Sequence, residues 1–413
     1  MPAPDRRQFL RTAASFAAAT ALPLPNGLAS GRAAPAVLGA GRDRYPLPTV
    51  DLAGRTSLQT VVDREAQQYL GHPTSVLLGD GRTIYCAYPK GHGAGALVLK
   101  RSDDGGRTWS DRLPVPENWA TSHEVPTMYR MAGPEGRERL ILFSGAHPIR
   151  RAVSDDRGRS WSPLEPIGDF GGIVAMSDVV RTGEGRYTAV FHDDGRFIDG
   201  GPLTMRGTPA SEPTDTFVLY KTVSEDGGLT WSAPEPILRT RKIHLCEAGL
   251  VRSPDGETLA MLLRENRRRR NSHIMFSEDD GRTWTEPREL PAVLTGDRHQ
   301  AAYAPDGRLF VSFRDNTPEA YDSPTEGDWV GWVGTWDDLA RARKGTPVGQ
   351  YRVRLADNHR GADCAYPAVE VLPGGTLVAI TYGHWTPDAE PYILGVRFTL
   401  DRLDQLRETG DGR

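Results

Sequence analysis

Along the chain, short runs of alternating apolar and polar residues come in pairs, and each pair is hinged on a glycine-containing turn. Alternation with period two places the apolar side chains on one face of an extended strand, and a Gly turn between two such runs specifies a hairpin. Six such pairs occupy residues 73–88, 125–144, 178–192, 248–264, 300–314 and 366–382. Three of their turns read Pro254-Asp255-Gly256, Pro305-Asp306-Gly307 and Pro373-Gly374-Gly375. A further short strand follows each hairpin, at 96–100, 150–153, 217–222, 273–276, 330–335 and 392–398. Six units with one internal order predict an all-β fold, a six-bladed β-propeller of four-stranded antiparallel blades. Residues 58–62 are expected to supply the outer strand that closes the ring. Two packed sandwiches could hold as many strands, but they would not repeat one order within every unit.

An eight-residue word, Ser-x-Asp-x-Gly-x-(Thr or Ser)-Trp, follows the third strand of the first four units. It starts at Ser102, Ser154, Ser224 and Ser277, with spacings of 52, 70 and 53 residues, and ends at Trp109, Trp161, Trp231 and Trp284. Ser and Asp side chains cap backbone N–H groups of a tight turn, Gly accepts a positive φ, and Trp buries a large ring. Four copies at these spacings mark stacked units.

Composition fits this architecture. The chain has 413 residues, 38% hydrophobic and 25% charged, with 45 Gly and 32 Pro, a profile of many turns and short strands. Residues 37–413 are expected to form one propeller domain. Residues 1–36 read differently: Arg6-Arg7-Gln8-Phe9-Leu10-Arg11 precedes an Ala-rich apolar run over 12–24 and small residues at 33–36. This stretch resembles a bacterial twin-arginine export signal, which implies a secreted or periplasmic product. The apolar run is too short to span a bilayer, so membrane insertion is not expected. Loss of a leader ending near Ala34 would remove four arginines and one aspartate and take the formal charge from −4 to −7. An acidic chain does not suit nucleic-acid binding. Cys86, Cys246 and Cys364 are odd in number and widely spaced, which fits buried thiols and neither a disulfide framework nor a CxxC metal site. The strand end His192-Asp193-Asp194 would not converge on an ion, so neither a metal nor another cofactor is expected. The protein is expected to act as a monomer.

The repeated words resemble the Asp boxes of the sialidase superfamily, whose members are six-bladed propellers. In a propeller the start of each first strand and the end of each second strand meet at one central mouth, while the Asp boxes lie on the other face. The starts here are His72, Glu124, Asp178, Glu247, His299 and Asp363 with Tyr366. The ends include Tyr88 with Lys90 and His92, then Ser144, His192, Arg264, Arg314 and Tyr382. So many ionisable and phenolic groups at equivalent points predict a ligand site.

Glu247 and Arg264 (seventeen residues apart), Arg314 and Tyr366 match the sialidase pattern position by position. The resemblance implies that the arginines bind a sugar carboxylate and that Tyr366, with Glu247 as base, forms and resolves a covalent glycosyl intermediate. The chemistry is consistent. A guanidinium matches a carboxylate, and a phenol of pKa about 10 needs a base to become nucleophilic. The same residues also have structural uses, as an ion pair across a hairpin or a packed aromatic. Blade one departs from the family. Where Arg-Ile-Pro is usual the chain has Gly71-His72-Pro73, and the loop expected to carry an acidic Asp runs from Tyr88 to Gly95 without a carboxylate. His92 or Asp178 would then serve as general acid, and His72, Tyr88, Lys90, His299 and Asp363 would line the substrate. The run Arg267–Arg270 falls on the mouth face, where it could attract an anionic polysaccharide, although such a run is more often solvated surface. These features together predict an exported, exo-acting, retaining glycoside hydrolase for a terminal anionic sugar, sialic-acid-like or uronic. A uronate lyase using His72, His92, His299, Tyr88 and Arg264, or a carbohydrate-binding propeller without turnover, would fit the same ring.

Overall fold

The computed structural model describes residues 43–44, 47–198, 216–317 and 321–410. The export segment expected over residues 1–36 lies outside them.

Six sheets radiate from a common axis. Blade one is Thr74–Leu77, Ile84–Pro89 and Leu97–Ser102. Its fourth lane is a stretch without strand geometry, held to the third strand by Ser110 N–H to Arg101 O and Leu113 N–H to Leu99 O, both 2.8 Å. Blade two is Pro126–Ala132, Glu138–Ser144, Arg150–Ser154 and Glu165–Pro166. Blade three is Ile173–Arg181, Tyr187–Asp193, Phe217–Ser224 and Glu235–Thr240. Blade four is Leu245–Arg252, Leu259–Glu265, His273–Ser277 and Arg288–Glu289. Blade five is Gly296–Tyr303, Leu309–Asp315, Trp329–Gly334 and Tyr351–Ala356, with Thr49–Asp51 added in parallel at its edge. Blade six is Ala368–Val371, Leu377–Gly383 and Tyr392–Phe398, completed by Gln59–Asp63 from the other end of the chain. The expected closing strand is therefore present, one residue later than its reading.

The second strands explain the weak alternation in parts of the sequence. Ile84–Pro89, Tyr187–Asp193, Leu309–Asp315 and Leu377–Gly383 are buried at every position. Each lies between two neighbouring blades, so both of its faces are covered. All six inner hairpin turns carry a glycine at positive φ, for example Gly256 at 83° and Gly307 at 84°. Among the described residues no helix is long and apolar enough to cross a membrane.

The four repeated words form one turn. In blade three the Ser224 hydroxyl donates to Asp226 Oδ1 (2.9 Å) and accepts from Gly228 N–H (2.8 Å), while Thr230 Oγ1 donates to Asp226 Oδ2 (2.6 Å). The same bonds recur at Ser102, Ser154 and Ser277. Gly105 N–H donates to Arg82 O and Gly227 N–H to Gly185 O, both at 2.8 Å. These contacts tie two of the turns to the inner hairpin turns, away from the mouth end of the strands.

Candidate active site

At the mouth end of the inner strand, five blades place a non-glycine residue at a left-handed φ of 51–55°: His72, Met176, Glu247, Arg298 and Ala365. In blades three, four and five a register shift accompanies it. Such bulges re-aim side chains and concentrate at functional sites. At His72 and Glu247 the side chain so aimed reaches Tyr366.

Glu247 is the bulged residue of blade four and is buried. Its Oε1 accepts from the Tyr366 hydroxyl at 2.5 Å and from Arg264 Nη1 at 2.5 Å. Its Oε2 is buried without a hydrogen-bond partner among the described residues. Burial and the charge of Asp297 push the Glu247 carboxyl up. Arg264, Arg314 and the Tyr366 hydroxyl outweigh them, and its pKa lies below the ordinary value. Burial, reinforced by the Glu247 charge, pushes the Tyr366 phenol well above its ordinary value. The resting pair is therefore a neutral phenol donating to a carboxylate.

Asp297, fully buried, anchors the arginines. Arg314 donates to its Oδ2 from Nε (2.8 Å) and Nη2 (2.7 Å), Arg268 Nη2 donates to the same atom at 2.6 Å, and Arg264 Nε lies 3.4 Å from Oδ1. Burial raises the Asp297 carboxyl, but Arg314, Arg264 and Arg268 hold it far below the usual aspartate range. Three guanidinium groups thus face two carboxylates, Glu247 and Asp297, and one positive charge remains uncompensated within this set. Arg314 is the most committed of the three. Its Nη1 donates to Ala362 O (2.6 Å) and Cys364 O (3.1 Å), so most of its five N–H donors are spent on protein.

His72 stands where the sequence resemblance leads to the expectation of an arginine, and it brings no charge. Its Nδ1 accepts from Gly93 N–H at 3.1 Å, which assigns the ring proton to Nε2, 3.2 Å from the Tyr382 hydroxyl. Burial pushes its pKa well below the ordinary value, and His92, Arg314 and Arg298 add to the shift. The His72 ring packs edge-on against Tyr366 with centroids 4.4 Å apart. Asp363 closes this side: Oδ1 accepts from Tyr69 (2.8 Å) and Tyr382 (3.3 Å), and Oδ2 lies 3.2 Å from His384 Nε2. His92 stands at the rim with its side chain 66% exposed, 3.7 Å from Asp363 Oδ1.

Four residues expected at the mouth are engaged elsewhere. Tyr88 points onto the closing strand and donates to Asp63 Oδ2 at 2.5 Å. Lys90 pairs with Glu65 at 2.9 Å. His299 Nε2 bonds Leu294 O at 2.9 Å, and its ring packs on Phe313. Asp178 joins blades three and four, accepting from Val179 N–H (2.8 Å) and Leu250 N–H (2.7 Å). It borders a central channel of about 350 Å³ shared with Ser75, Thr127, Arg298, Tyr366 and Glu370.

Asp297 and Arg268 escaped the sequence reading. Asp297 was legible in principle, because it precedes Arg314 by the same seventeen residues that separate Glu247 from Arg264. Arg268 lies in the run read as surface, and its φ of 58° turns it back onto Asp297.

Six blades thus meet at a mouth that holds a Tyr–Glu–Arg cluster. The chain matches the model of the BNR repeat-like domain over residues 174–380, and it belongs to that family. No curated protein matches it. Among solved structures it is similar to a protein of unknown function from Dyadobacter fermentans DSM 18053, at TM-score 0.60 and 17% identity over 82% of this chain and 97% of that one. It is also similar to the intramolecular trans-sialidase of Ruminococcus gnavus in complex with oseltamivir carboxylate, at TM-score 0.55 and 14% identity over 81% and 95%. The NanB sialidase of Streptococcus pneumoniae follows at TM-score 0.53 and 12% identity, over 83% of this chain and 71% of that one. At these identities the likeness is one of fold.

Proposed function

We propose that this protein is an exo-acting, retaining glycoside hydrolase that cleaves a terminal anionic sugar, with Tyr366 as nucleophile and Glu247 as its base. The observation that carries the reading is the 2.5 Å contact between the Tyr366 hydroxyl and Glu247 Oε1, an oxygen that Arg264 also holds. A phenol attacks well only if its proton leaves as the new bond forms, and a carboxylate in contact with it receives that proton. Arg264 keeps this carboxylate ionised until then. The guanidinium groups of Arg264, Arg268 and Arg314 suit a substrate that carries a negative charge. Arg264 and Arg268, less committed than Arg314, are the groups this reading assigns to that charge. Action outside the cytoplasm is proposed on the sequence of residues 1–36 alone.

The test uses para-nitrophenyl glycosides of sialic acid, glucuronic acid and galactose, with the first-formed anomer followed by proton NMR. The expected result is release of one of the acidic sugars with retained configuration, and its loss in Tyr366→Phe. An ultraviolet-absorbing unsaturated uronate released from a uronate polymer would replace this reading with a lyase. Binding without product would replace it with a lectin.

A further inference from the structure

We propose that Glu124 is the proton donor of this site, its carboxyl group protonating the glycosidic oxygen as the bond to the leaving group breaks. The proposal rests on the hydrolase reading above and supplies the acid that blade one lacks.

The placement comes from contacts on two sides. Glu124 leads into the inner strand of blade two, and the next residue, Val125, belongs to the same buried apolar cluster as Tyr366. Across from it runs the loop after the second strand of blade one. A Cβ at Gly93 would stand 3.7 Å from Glu124 Oε1, so the loop backbone passes close by the carboxyl group. The Gly93 N–H in turn holds His72 Nδ1, and the His72 ring packs on Tyr366. Glu124, Gly93, His72 and Tyr366 are therefore consecutive neighbours around the mouth. Among the described residues the Glu124 carboxyl accepts one hydrogen bond, from Val125 N–H to Oε1 at 2.9 Å, so Oε2 is available to a substrate. The two acids expected from sequence are worse placed. Both oxygens of Asp178 are taken by backbone N–H groups, and His92 is mostly exposed beside Asp363.

The protonation states agree with this geometry. Burial pushes the Glu124 carboxyl up to about 7, and the charges of Glu247 and Asp194 add to the push against Arg196 and the Val125 N–H. Glu247 is held below its ordinary value. Two carboxyl groups that feel each other and are driven apart in this way divide the acid and base roles. In the first step the Tyr366 oxygen bonds to the anomeric carbon as its proton passes to Glu247. The electron pair of the breaking bond goes to the leaving oxygen, which takes the proton of Glu124. In the second step water attacks the anomeric carbon and gives a proton to Glu124, and the tyrosyl oxygen leaves with the proton returned by Glu247.

The experiment compares para-nitrophenyl and methyl glycosides of sialic acid and of glucuronic acid, using wild type, Glu124→Gln and Glu124→Ala. Nitrophenolate leaves without a proton, whereas methoxide requires one. Glu124→Gln is expected to lower kcat/KM on the methyl glycoside by about 100-fold or more, to lower it far less on the nitrophenyl glycoside, and to abolish the fall in wild-type rate above about pH 7. Azide is expected to accelerate Glu124→Ala on the nitrophenyl substrate, because it attacks the glycosyl intermediate without a base. The ratio of the two losses within one variant does not depend on how much of it is folded. Equal losses on both substrates, or no loss on the methyl glycoside, overturn the proposal while the hydrolase reading stands. A wild type that cleaves none of the four compounds overturns the hydrolase reading, and this assignment with it.

Discussion

The Tyr366 hydroxyl and the Glu247 carboxylate, 119 positions apart in the chain, stand 2.5 Å from each other, and Arg264 donates to the same carboxylate oxygen. Replacing Tyr366 by Phe keeps the ring against His72 and removes only the hydroxyl. With Tyr366 as the proposed nucleophile, turnover is expected to fall by about a thousandfold or more. Stability is expected to drop by only about 1–3 kcal/mol, one hydrogen bond to a charged acceptor. Urea titration and initial rates measure the two effects separately. A Phe variant as active as wild type would remove Tyr366 from the mechanism.

Asp297 is the shared counter-ion of Arg264, Arg268 and Arg314 and is fully buried. Asp297→Ala leaves three guanidinium groups short of a partner in a region with little water. A loss of about 3–5 kcal/mol in chemical unfolding is expected. A loss under about 1 kcal/mol would mean that the arginines find other partners at little cost.

The closing strand offers a paired test. Val62 is 1% exposed and Val61 is 49% exposed, on opposite faces of Gln59–Asp63. Val62→Asp buries an unpaired charge where blade six is completed and is expected to cost at least about 3 kcal/mol. Val61→Asp on the outer face is expected to stay within about 0.5 kcal/mol of wild type. Similar melting temperatures for the two variants would mean that this strand does not close the ring.

The repeated turns predict a specific acid dependence. Hydrogen bonds from Ser160 and its neighbours hold Asp156 down to about 2, against an ordinary value of 3.8. For Asp104, burial pushes the other way, but its turn bonds prevail and the group also sits at about 2. A depressed carboxylate contributes its stability fully above 3.8 and loses it as pH falls toward 2. Asp156→Asn should therefore melt below wild type at pH 6, and the difference should close between pH 4 and pH 2. A difference that stays constant over that window would show that the charge does not matter to the turn.

Much of the fold was legible in the sequence. The hairpins at 248–264 and 300–314 appear as Leu245–Arg252 with Leu259–Glu265 and as Gly296–Tyr303 with Leu309–Asp315. These contacts are local, and period-two alternation around an Asp-Gly turn is enough to specify them. Part of the candidate site was legible too, in that Glu247, Arg264, Arg314, Tyr366 and His72 converge. Tyr88 and His299 lie away from this cluster for one reason. A strand position says which end of a blade a residue occupies, but not whether its side chain turns to the axis or between blades.

What the sequence determined by itself was therefore the repeat: six hairpins, four capped turns and a strand to close the ring, each written in neighbouring residues. The tertiary structure decided which side chains meet. Left-handed bulges at Glu247 and Arg298 and the fold-back at Arg268 cannot be read from alternation, because non-glycine residues adopt such φ values only when surrounding packing imposes them. The His72–Tyr382 contact spans 310 positions and exists only because the ring closes. Local pattern builds the blades, and blade-to-blade packing sets the chemistry at their mouth.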